Sequence, residues 1–101
     1  EILRSLALQA RRDEIDENLA LGSALYRSAE QLDENDHDDA QKRAERFRAS
    51  AEAFKEYWRH NTDAASARDN VAITVSRTAD AEAQAKALAL RTLQELTTGV
   101  I

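Results

Sequence analysis

At 101 residues the chain has the length of one domain, and it carries 33% charged residues, no Pro, no Cys, no Met and two Gly. These figures exclude a disulfide scaffold and a thiolate metal site, leave an all-β fold without its turn residues, and offer no apolar run near the roughly 18 residues of a membrane span. The net charge of -5 argues against nucleic acid, whose phosphates need a basic surface.

What remains is an Ala-rich helical protein. Twenty of its apolar residues are Ala. Only eleven Leu, four Ile, three Val and five aromatics are large enough to build a core. Two polar clusters, 33–39 and 60–63, divide a single domain spanning 1–101 into helices at about 2–32, 37–60 and 63–98. The chain opens on Glu1 rather than Met, as expected of a processed chain or a domain cut from a larger one.

The first stretch carries Ile15, Leu19, Gly22, Leu25, Tyr26, Ala29 and Leu32 along one helical face. Upstream lies a second apolar group, Ile2, Leu3, Leu6, Leu8 and Ala10, cut off by Arg11-Arg12-Asp13-Glu14. Gly22 costs about 1 kcal/mol relative to Ala inside a helix, so close packing is expected there.

The second stretch is the clearest. Ala40, Ala44, Phe47, Ala51, Phe54 and Trp58 recur at alternating spacings of four and three, a coiled-coil-like seam flanked by charge. Asp36 is the expected N-cap, with Asp38 and Asp39 favoured by the helix dipole in the first turn.

The third stretch has a stripe of Ala64, Val71, Val75, Thr78, Glu82, Ala85, Ala89, Thr92 and Leu96. Thr62 or Ser66 is its expected cap, Ser66 with Asp69 making a short capping box. Gly99 suits the position just past the C-terminus. The alternation Val71, Ile73, Val75 reads as a strand, but a lone strand has no partner in this chain.

Short connections make sequential helices antiparallel neighbours, so the fold expected is all-α: three long antiparallel helices in a slender coiled-coil-like bundle. Folding symmetrically about the two turns places Gly22-Ser23-Ala24 opposite Phe47, Ile15 opposite Tyr57 and Trp58, Val71 near Phe54 and Thr78 near Phe47. The middle helix is the shortest. Residues 1–10 then overrun one end by about 15 Å, and 86–98 the other by about 18 Å. Those overhangs hold Leu3, Leu6 and Leu8 on one side and Leu88, Leu90, Leu93 and Leu96 on the other. Apolar surface of that extent marks a partner interface, unless an end breaks near residues 11–14 and folds back as a short fourth helix.

Constellations for chemistry are sparse. Asp33, Asn35, His37 and Asp39 alternate like the start of a calcium loop, but the sixth position is Asp38 rather than Gly and the twelfth is Ala44 rather than Glu. A solvated, capped turn is the better reading. Glu56 and His60 share a helical face, yet no Glu-x-x-His pair of a di-iron bundle exists. No Gly-x-Ser-x-Gly elbow or phosphate-cradling Gly loop occurs, and an Ala/Leu core is not expected to leave a pocket. His37 does not suit a phosphoryl-accepting helix, and Trp58 is followed by Arg59-His60 rather than by the Trp-x-Gly turn of small secreted bacterial helical proteins.

The expectation is therefore a non-enzymatic protein–protein interaction or oligomerisation module, scaffold or chaperone-like, without cofactor, metal or small-molecule substrate. Leu3, Leu6, Leu8, Leu88, Leu90, Leu93 and Leu96 are its interface candidates. The alternative is a helical domain excised from a larger bacterial protein, either a sensor bundle or a membrane-targeting domain of a secreted effector. A membrane surface would use Arg43, Arg46 and Arg48; pairing of these arginines with acidic residues such as Glu14, Glu17, Asp80 and Glu82 is preferred. The eleven Arg against three Lys, with the high Ala content, fit a GC-rich bacterial genome, and a bacterial cytoplasmic setting is the compartment expected.

Overall fold

The computed structural model describes residues 2–99 and, from 7 to 16, the helical path without its side chains. Three α-helices follow one another: α1 (Ile2–Glu30), α2 (His37–His60) and α3 (Ala65–Thr98). They form an all-α rod of 76 × 22 × 17 Å. Its radius of gyration is 18.5 Å, well above the roughly 13 Å of a compact chain of this length. α1 runs unbroken through residues 11–14, so its N-terminal end does not fold back.

α2 is central. It packs along both neighbours, whereas α1 and α3 touch each other far less. The expected seam is there: Ala40, Ala44, Phe47, Ala51 and Phe54 are buried, and Trp58 is half-buried. Ser50 and Ala53 are buried as well, because a helix with two neighbours must bury more than one stripe. Ala29, Ala67 and Ala81 complete a core in which Phe47 and Phe54 are the only large buried apolar side chains among the described residues. Alanines at these positions let the helix backbones approach closely.

The caps explain the ends of α2. Asp36 Oδ1 accepts from the Asp39 amide at 3.0 Å, the N-cap bond expected from sequence. At the other end the Asn61 amide donates to the Trp58 carbonyl. The cap of α3 differs from expectation. It is Ala64, with no side-chain bond, rather than Thr62 or Ser66. Gly99 does cap the C-terminus, but in right-handed backbone, with its amide on the Glu95 carbonyl at 2.8 Å.

Both hairpin registers sit about one helical turn from the symmetric estimate. Gly22 faces Ser50 and Phe54, not Phe47; Ser50 Oγ donates to the Gly22 carbonyl at 2.6 Å. Phe47 instead meets Tyr26 edge-on, with centroids 5.1 Å apart, and packs with Ala81 rather than Thr78. In the first hairpin the cause is the 31–36 connection, which lies back along the first turns of α2. The Asp33 amide donates to Asp39 Oδ2, and Glu34 reaches Arg43 at 3.9 Å. Several residues of α2 are thereby spent beside the turn rather than beside α1. The expected position of Ile15 falls among the side chains outside the described set.

In α3 the buried line is Ala67, Thr74, Ala81, with Val71, Thr78 and Ala85 half-buried beside it. The expected stripe had the flank right but put Val75 inward, and Val75 is exposed. Thr74 takes the buried place because its hydroxyl donates to the Asn70 carbonyl at 2.6 Å, leaving no unpaired polar group.

Candidate functional site

Leu3 is 82% exposed and Leu6 60%, on the part of α1 that runs past α2. Leu93 and Leu96 are 60% and 65% exposed at the far end of α3, with Leu90 also exposed. Leu88 differs from its neighbours: it is half-buried, as are Ala85 and Ala89. The one-turn shift of α3 brings these residues alongside α2, so the exposed run starts at Leu90 rather than near Lys86. Leu8 lies among the side chains outside the described set. The two Leu-bearing ends sit at opposite ends of the rod, because α1 and α3 run in the same direction on either side of α2.

The basic residues of α2 are largely committed within the chain. Arg48 pairs with Glu82 of α3, one of the acidic partners expected. Arg46 donates to Ser28 Oγ at 2.6 Å. The Arg43 guanidinium lies over the Phe47 ring, 4.9 Å from its centroid, with only 11% of its side chain exposed.

The acidic turn uses its carboxylates on its own backbone. Asp33 Oδ1 accepts from the Asn35 amide at 2.9 Å, and Asp36 and Asp39 accept from the amides of Asp39 and Asp33. His60 Nε2 lies 3.1 Å from Glu56 Oε1, and Arg59 pairs with the other oxygen of Glu56 at 3.3 Å. Among the described residues no three His, Asp or Glu side chains converge as a metal site would require.

One feature was not expected from sequence: a groove of about 400 Å³ between α1 and α3. Phe54 of α2 lies beneath it. Ser23, Tyr26 and Arg27 line one wall and Asn70, Ile73 and Thr74 the other. The groove exists because large side chains prop α1 and α3 apart one turn higher. Arg77 of α3 stacks over Tyr26 at 5.9 Å and over Phe47 at 5.4 Å, and it pairs with Glu30 at 3.3 Å. The Tyr26 hydroxyl raises the pKa of Arg77, Glu30 adds to this, and burial pulls the other way. Arg77 carries its charge throughout the working pH range, as a guanidinium does. Below it the facing residues are Ser23 and Asn70, too short to bridge the same gap. Their small size is the signal sequence reading could have used, had the register been known.

Searches against models of known protein families, against characterised proteins and against solved structures returned no match. No helix among the described residues is long and apolar enough to cross a membrane.

Proposed function

We propose that this chain is a non-enzymatic helical interaction or oligomerisation module, scaffold or chaperone-like, whose Leu-bearing helix ends pack on another helical chain. The observation that carries the reading is the exposure of Leu3, Leu6, Leu90, Leu93 and Leu96 on helices that outrun α2. Leucines on a helix with no neighbour gain nothing from burial, and each side chain covered by a partner contributes about 1.5–3 kcal/mol. The reading is also supported by what the rest of the surface does. The α2 arginines that could address an anionic surface are engaged with Glu34, Ser28 and Glu82.

A second copy of the chain is the simplest partner to test. Sedimentation over a wide range of concentration should show mass rising with concentration, and Leu93→Glu with Leu96→Glu should abolish the rise. A monomer at every concentration, indifferent to both substitutions, contradicts the oligomerisation form of the proposal.

A further inference from the structure

The groove between α1 and α3 points to a different kind of ligand. We propose that it binds a small anionic amphiphile, an apolar chain with a carboxylate head, and that Arg27 holds the head.

The apolar part of the site is preformed. Phe54, 5% exposed, is fixed beneath it by its contact with Gly22. Ile73 is 53% exposed on one wall, an aliphatic side chain that no neighbour covers. The Tyr26–Arg77–Glu30 strut keeps the two walls apart, so no helix movement is needed to admit a chain. A cleft of about 400 Å³ between bundle helices falls in the range that holds small ligands.

The polar part selects the head group. Thr74 is satisfied by the Asn70 carbonyl and offers no free donor. Arg27 is exposed at the rim; its Nε donates only weakly to the Ser23 carbonyl, at 3.4 Å. Among the described residues no carboxylate pairs with Arg27, unlike Arg48, Arg59 and Arg77. One free guanidinium beside an apolar floor matches one carboxylate, which the planar fork engages through two parallel hydrogen bonds. Ser23 and Asn70 line the same groove and are donor-bearing residues.

The test is a heteronuclear NMR titration of the 101-residue chain with decanoate below its micelle threshold, and with decanol as the uncharged probe. Saturable decanoate shifts are expected at residues 23–27, 54 and 70–74. Arg27→Gln should weaken decanoate roughly tenfold, the worth of a charge-assisted pair, and leave decanol unchanged. Ile73→Trp fills the groove and should abolish both. Arg27 and Ile73 are exposed, and an unchanged helical spectrum confirms that each variant folds; if Ile73→Trp does not fold, Arg27→Gln alone decides. The proposal is overturned by no saturable shift, by shifts centred on 90–96, or by decanoate binding indifferent to Arg27→Gln. Protection of the groove only when the chain self-associates also overturns it, and reassigns the groove to a helix of a second copy.

Discussion

Gly22 lies so close to the ring of Phe54 that a Cβ added there would stand 2.7 Å from both Cδ1 and Cε1. The same glycine offers its carbonyl to Ser50, so α1 and α2 approach closely here. Two effects compete in Gly22→Ala. Helix propensity favours Ala by about 1 kcal/mol. Forcing Phe54 out of place costs about 1–3 kcal/mol. The clash should prevail, because the ring can yield only by swinging into the groove above it and giving up its buried contacts. Chemical denaturation should show a net loss of up to about 2 kcal/mol, the reverse of what propensity alone predicts.

Ser50 and Thr74 are both buried, and both donate to a carbonyl at 2.6 Å, yet they should respond differently. Ser50 bonds across the helix pair, so Ser50→Ala should cost about 1 kcal/mol. Ser50→Val should cost more, because its extra methyl groups press on the Gly22 backbone. Thr74 bonds within its own helix, and Thr74→Val keeps its shape and removes the donor while the Asn70 carbonyl retains its helical backbone bond. That change should stay within about 1 kcal/mol of the parent. Urea midpoints of the three variants check the ranking.

The helix caps allow a prediction of gain as well as loss. Asp36→Ala removes the Asp39 amide's acceptor and should cost about 1 kcal/mol. Ala64 caps α3 with no side-chain bond, in extended backbone suited to a capping residue. Ala64→Ser or Ala64→Asp should therefore stabilise the chain by about 0.5–1 kcal/mol. Thermal melts of the two substitutions should move in opposite directions.

Arg77 and Arg48 both form ion pairs between helices, but only Arg77 also stacks on two rings. Arg48→Ala should cost less than about 1 kcal/mol, as exposed pairs do. Arg77→Ala should cost about 1–2 kcal/mol, since it removes cation–π contact and buried stem together with the pair. It should also let α1 and α3 close, which is visible as loss of the decanoate shifts. Equal costs for the two variants would remove the strut from the account.

The three helices and the α2 seam were legible because alternating spacings of three and four record one buried face directly. Asp36 was legible as a cap because an acidic residue before a helix has a local function. The registers were not. The α1–α2 register depends on where the 31–36 connection lies, and Asp33 and Glu34 bind the first turns of α2 through tertiary contacts that no periodicity carries. That displacement moved Phe47 from Gly22 to Tyr26, while a separate shift of α3 on α2, beyond the 61–64 turn, brought Leu88 into the bundle. Thr74 was missed for a different reason: the expected stripe steps from Val71 to Val75, four residues on, whereas the buried face takes the residue three on from Val71. The Leu-rich ends were legible from length alone, because α2 is the shortest helix.

The central claim is that the ends of α1 and α3 lack support within the isolated chain. Amide hydrogen exchange resolved by residue tests it most directly. In dilute protein the amides of 90–98 should exchange far faster than those of 74–85 in the same helix, since fraying is cheap where no neighbour packs. Raising the concentration should slow them if a second copy is the partner. Protection at 90–98 equal to that at 74–85 in the dilute monomer would contradict the account, because those leucines would then need nothing to complete them.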